Sequence, residues 1–208
     1  MATAQSYSSD VAFTPAVKAI QARKGSRGAY ASVEDRGGWR TEIDDSLAAF
    51  IGEQTSFFLA TATADGQPYI QHRGGPAGFI RILDRTTLAF ADYRGNRQYI
   101  TQGNLSENPK AYIFLIDYVN RRRVKIWGEA RVVEDDPALT DSLMPKDYKA
   151  KPEQVILFKI AAWDTNCPQH IPMKFDAADV AAAVAARDER IAELEAEVAE
   201  LKKRQTKA

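Results

Sequence analysis

Three stretches of the chain gather side chains suited to holding an anion. They read FFLATATADGQPYIQHRGG from Phe57, LAFADYRGNRQYITQGNLSENPKAYIFL from Leu88 and RRRVKIWGEARVV from Arg121. Each is a strand-like run whose turns carry Arg, Asn, Gln and His. Cations and amide donors clustered at strand ends suit an anionic ligand, because charge-assisted hydrogen bonds are shorter and stronger than neutral ones. Other chemistries find less support. Cys167, His72 and His170 are the only thiol and imidazole groups, too few for a structural zinc site, which normally takes four protein ligands. Cys167 and His170 form a Cys-x-x-His pair, but without the strand–turn–helix setting that activates a thiol. Taken alone, the segment from Trp163 to His170 reads as a polar loop with a tryptophan anchor.

The elements that must position these groups follow from periodicity and turn chemistry. Residues 1–44 contain one expected helix, with Thr14 as cap, Pro15 at the first helical position and Gly25 at the end. The following GSRGAYASVEDRGGW reads as an extended arm or long loop, whose expected role is packing on a neighbouring surface. Asp44 to Glu53 reads as a helix with Leu47, Phe50 and Ile51 along one face. Phe57–Thr63 and Pro68–Arg73 then form a hairpin through Asp65-Gly66. Further strands are expected at Phe79–Leu83, Thr87–Asp92, Ala111–Asp117, Arg123–Val133 and Gln154–Ala162, with a helical turn near Asn96–Gln102. Short strands without regular intervening helices favour a closed or partly closed barrel over a parallel sheet. The fold class is therefore mainly β, with flanking helices, and residues 45–175 form the barrel domain.

Residues 176–208 follow a different rule. Val180, Val184, Ile191, Leu194, Val198 and Leu201 form a heptad seam that Arg187 interrupts at one d position. In a parallel pair Arg190 faces the partner's Glu195 and Glu197 faces the partner's Lys202, so both contacts attract. β-Branched residues at a and Leu at d favour a two-stranded coiled coil. The alternative is an amphipathic helix lying on its own barrel.

Composition narrows the partners. The chain has 208 residues, 45% of them hydrophobic, enough for one sizeable core with appendages. Lys plus Arg and Asp plus Glu each total 28, so no overall field collects nucleic acid or acidic membranes. The absence of an apolar leader or an 18-residue apolar run argues against standard secretion and a membrane span. A single Cys excludes an intrachain disulfide framework, and a cytoplasmic setting is expected.

The order of these features resembles the flavin-binding split barrels related to pyridoxamine 5'-phosphate oxidase. The resemblance covers about residues 45 to 175. It rests on the Asp-Gly-Gln-Pro turn before a polar strand, the D-x-x-x-N-R-Q segment from Asp92 to Gln98, the Asn108-Pro109 pair, and the basic strand from Arg123. It implies FMN as cofactor, bound at a homodimer interface, and an oxidoreductase activity with a small-molecule substrate or a nicotinamide as electron partner. In this likeness Asn96, Arg97 and Gln98 form the phosphate turn, with Asn where Ser is usual and Gln where Lys is usual. Gln71, His72, Arg73 and Gly74 run along the flavin ring, Arg73 or His72 supplying positive charge. Asp92 precedes the phosphate turn, Arg123 stands where a Gln reaches the cofactor, and Gln169 and His170 reach the pocket across the interface. The family's substrate-gripping Arg-x-His pair is replaced by Pro168-Gln169-His170, and a Lys near Pro76 is missing, so oxidation of vitamin B6 phosphates is not implied. A non-catalytic flavin-binding or storage module, or a haem- or deazaflavin-binding relative, are the alternatives.

Overall fold

The computed structural model describes residues 6–165 and 167–206. They divide into two compact units. The first holds the N-terminal segment and the sheet, through Asp117 and over Arg122–Pro168; the second holds Tyr118–Arg121 and the chain from Gln169 onward.

Seven strands make one antiparallel sheet in the order β2-β1-β5-β6-β7-β4-β3. They are β1 (Ser56–Ala62), β2 (Pro68–Gly74), β3 (Arg81–Asp84), β4 (Thr87–Tyr93), β5 (Lys110–Asp117), β6 (Arg122–Val133) and β7 (Pro152–Thr165). Period-two burial aims Phe57, Leu59 and Thr61 of β1 inward. The Asp65-Gly66 turn joins β1 to β2, with Gly66 at φ 94°, a left-handed geometry that glycine adopts without strain. The sheet is not closed, since no ladder joins β2 to β3 or β4. It curls far enough for Arg73 of β2 to meet Asp92 of β4. The result is a split barrel around Phe57, Phe90, Ile113, Ile126 and Phe158, all essentially inaccessible to solvent.

The bulge in β7 sets what faces this core. Trp127 pairs with Ala162 but Gly128 pairs with Ile160, leaving Ala161 as the extra residue. Trp163 therefore lies opposite Ile126 and is buried, its indole Nε1 donating to the Glu42 carbonyl at 2.8 Å. A β-carbon on Gly128 would come within 2.1 Å of the Lys159 carbonyl oxygen and 2.6 Å of the Phe158 ring, so close packing at the bulge requires glycine there. β7 runs through Thr165, three residues beyond its expected end at Ala162.

The helices are α1 (Pro15–Lys24), α2 (Arg27–Asp35), α3 (Asp45–Glu53), α4 (Ile100–Glu107), α5 (Pro137–Leu143) and α6 (Ala177–Gln205). Thr14 and Asp44 cap α1 and α3 as their sequences predict, accepting from the backbone N–H of Val17 and Leu47. The segment expected as an arm contains α2. The reason is tertiary: Arg27 and Glu34, two turns apart on one face, pair with each other, and Lys18 of α1 reaches the same Glu34 carboxylate at 3.1 Å. That network outweighs the low helix propensity of Gly28. The segment does pack on the sheet, as expected, through Trp39, which stacks on Trp127 of β6 at 4.6 Å. The unexpected α5 carries the same signal as α1, an N-capping Asp136 before Pro137. In the second unit, α6 has no buried residue, and its heptad positions from Val180 to Leu201 stay 42–52% exposed.

Candidate cofactor site

A polar groove opens at the split of the barrel, between β2, the end of β4, the start of β7 and the first turn of α4. Its floor is Arg73. Alternation along β2 points Gln71 and Arg73 into the groove and His72 away from it. The Arg73 side chain is 10% exposed and pairs with Asp92, which is 14% exposed. Asp92 is itself held by Gln154, its cross-strand partner on β7, whose Nε2 donates to it at 2.9 Å. Gln71 Oε1 accepts from Arg73 Nη2 at 3.1 Å and from Thr101 Oγ1 at 2.8 Å, tying β2 to α4. Burial pulls the Arg73 guanidinium down to about 10, so it remains a cation at neutral pH. Its Nε is buried without a hydrogen-bond partner among the described residues.

The rim is the turn that follows β4. Asn96 Oδ1 accepts from the Gln98 N–H at 3.3 Å, closing an Asx turn. Arg97 and Tyr99 adopt φ 60° and 55°, left-handed geometry that costs a non-glycine residue energy and tends to collect at binding sites. Tyr99 is also the N-cap of α4 and makes no side-chain cap, so the helix begins with backbone N–H groups that no cap satisfies. Ile100, Thr101 and Gln102 place this helix start in the groove wall, where free N–H groups and the helix dipole favour an anion. Arg97, 55% exposed, donates from Nε to the Tyr99 hydroxyl at 2.9 Å and lies 3.9 Å from Glu153 Oε1.

The structure thus brings Gln71, Arg73, Asp92, Asn96, Arg97 and Gln98 together. The remaining sequence-predicted residues stand elsewhere. His72 is exposed and meets Phe58 edge-to-face at 5.7 Å. A side chain on Gly74 would crowd the His72 ring at 3.2 Å, so this glycine makes room for its own chain. Arg123 lines a separate hollow with Leu47, Phe50 and Arg122, while Arg122 pairs with Asp117. Gln169 and His170 belong to the second unit, exposed in a turn with His170 at φ 64°.

Sequence reasoning missed Tyr93, Tyr99, Thr101, Glu153 and Gln154, all in the groove wall. Thr101 sits just after the Asn96–Gln98 turn and was within reach of a helical reading. Glu153 and Gln154 arrive only through the pairing of β4 with β7, which no local pattern encodes. Burial pushes the Tyr93 phenol upward, keeping it a neutral hydroxyl.

Among solved structures, HupZ of Group A Streptococcus is 18% identical, with 64% of this chain matching 99% of that one at a TM-score of 0.49. An FMN-binding protein of Syntrophomonas wolfei is 13% identical over 70% of this chain and 97% of its own, TM-score 0.45. A Clostridium acetobutylicum protein related to general stress protein 26, of the pyridoxinephosphate oxidase family, is 13% identical over 66% and 99%, TM-score 0.44. No curated protein matches the chain. The family model described as pyridoxamine 5'-phosphate oxidase matches residues 43–167, from the strand-preceding Ile43 through the whole seven-stranded sheet and its groove. The chain belongs to the pyridoxamine 5'-phosphate oxidase family.

Proposed function

We propose that the chain binds FMN in this groove and works as an FMN-dependent oxidoreductase, with two chains forming a homodimer. The observation that carries the reading is the meeting of the Asn96–Gln98 turn, Arg97 and the uncapped start of α4 at one rim. That donor set fits the phosphate of FMN: a guanidinium, amide side chains and helix N–H groups, all lining one groove. Gln71 and Thr101, farther along the groove, fit the hydroxyls of a ribityl chain. When bound, FMN supplies two-electron redox chemistry.

This chain's residues contribute binding, position and field. Arg97 anchors the phosphate, and Arg73 is a fixed cation whose charge Asp92 largely balances. The pair therefore steadies an anionic ring less than an unpaired arginine would, and its main task is to shape the groove. His72 and Arg123 lie on surfaces outside the groove of one chain, and in a homodimer such surfaces become available to the second copy's flavin. Electron partner and substrate are small molecules under this reading, a nicotinamide among the donors to screen.

The test is the visible spectrum of freshly purified protein, with FMN added and removed by desalting if the preparation is colourless. A retained flavin spectrum near one FMN per chain supports the reading. Retained flavin that no common donor reduces points to the storage alternative. A haem-like band, or no retained chromophore, overturns it.

A further inference from the structure

The groove carries as much negative charge as positive. Arg73 is matched by Asp92, and Arg97 is matched by Glu153. The same Glu153 oxygen, Oε1, lies 3.7 Å from Arg94 Nε and 3.9 Å from Arg97 Nε, so one carboxylate serves Arg97 of the rim and Arg94, which is outside the groove lining. Gln98 adds no charge. A phosphate dianion entering this groove meets the attraction of the α4 start, while Glu153 offsets that of Arg97 as long as it stays in place.

The two carboxylates differ in freedom. Asp92 is 14% exposed, and both its oxygens are engaged, by Arg73 and by Gln154. Glu153 is 27% exposed, at the start of β7, and faces arginines that are themselves half in water. Its ion pairs are of the weak, screened kind. Asp92 is thus a fixed part of the wall, and Glu153 is the group that can swing out.

From this, and resting on the FMN reading above, we infer that Glu153 is an internal counter-anion that occupies Arg97 of the rim and sets how strongly the groove prefers a phosphorylated flavin over an unphosphorylated one. Arg97 exchanges Glu153 and Tyr99 for the incoming phosphate, and the exchange cost falls only on ligands that bring an anion. Riboflavin, which has the same ring and ribityl chain without the phosphate, does not draw Arg97 away and does not displace Glu153.

The experiment is a pair of titrations of the full chain, wild type and Glu153→Gln, with FMN and with riboflavin, followed by flavin fluorescence at fixed low ionic strength. Glu153→Gln keeps size and hydrogen-bonding capacity but removes the charge. FMN binding is expected to tighten about three- to tenfold, the scale of one charge acting on a dianion several ångströms away in a largely aqueous setting. Riboflavin binding is expected to stay the same, and Glu153→Asp, which retains the charge, to stay close to wild type. Unchanged or weaker FMN binding in Glu153→Gln overturns the inference, as does equal tightening of both flavins, which would mean general loosening of the groove. If wild type binds FMN but the substitution leaves the FMN-to-riboflavin ratio unchanged, this inference alone falls. If wild type binds neither flavin, the FMN reading falls with it.

Discussion

Arg73 and Asp92, nineteen positions apart in sequence, pair across the opening of the sheet. No strand ladder joins their strands, β2 at one end of the strand order and β4 next to the other end, so this side-chain pair fastens the split where the backbone does not. Removing one partner leaves the other charge buried and uncompensated, which typically costs about 3 to 5 kcal/mol. Asp92→Ala should therefore lower unfolding free energy by about that amount in urea titration, and the Arg73→Met/Asp92→Leu double variant should lose less. A loss below about 1 kcal/mol in Asp92→Ala would show that the pair is solvated in solution, as surface pairs are.

Arg97 is exposed and bonded only to groups near it, so its replacement should spare the fold and report on ligand alone. If it holds the FMN phosphate, Arg97→Ala should weaken FMN binding by roughly 1.5 to 3 kcal/mol, the range for hydrogen bonds to charged groups. Equilibrium titration checks this, with riboflavin as the control. Unchanged FMN affinity would remove Arg97 from the site.

Acid should release the N-terminal helices before it unfolds the sheet. The Arg27 hydrogen bond holds the Glu34 carboxyl below its ordinary 4.5, and the Lys18 hydrogen bond holds Asp10 below 3.8. Both folded-state values are depressed, so the stabilisation is complete above the ordinary carboxyl values and is lost as pH falls through the lowered ones. Trp39, stacked on Trp127, provides the signal. Its fluorescence should change below about pH 4.5 in wild type, and Glu34→Gln should show part of that change already at neutral pH. Identical acid profiles for the two proteins would rule out the network as the cause.

Deleting residues 177–208 separates two ways of holding a homodimer together. The proposed flavin site is built on the sheet, so the truncated chain should remain dimeric by light scattering, with weaker self-association than the full chain. A monomer after truncation would assign the association to α6 and its heptad seam.

Where the sequence was legible, local chemistry decided the outcome. Thr14-Pro15 and Asp44 announce helix starts, Asp65-Gly66 announces a hairpin, and alternation announces most strands; all are short-range rules. The turn at the groove's rim was readable because Asn96, Arg97 and Gln98 are contiguous. α2 escaped because its support is the burial of Glu34 against Lys18 and Arg27, a contact between helices. The charge balance of the groove escaped for a related reason. Asp92 and Glu153 are 61 positions apart in the numbering, and only the β4–β7 register sets them in one wall. His72 stands one step of alternation from the groove lining, because a strand carries neighbours to opposite faces and its sequence does not say which face lines the groove.

The extra residue at Ala161 divides β7 into two stretches whose registers against β6 differ by one residue. On one side lie Glu153 and Gln154 at the groove; on the other, Trp163 receives the N-terminal segment through its indole and through its backbone N–H, which donates to the Arg40 carbonyl at 2.8 Å. In an uninterrupted strand a one-residue slip exchanges the two faces along its whole length. Here the bulge works as an expansion joint: length changes that reshape the groove end can be absorbed at Ala161, leaving the tryptophan end in phase with its partners.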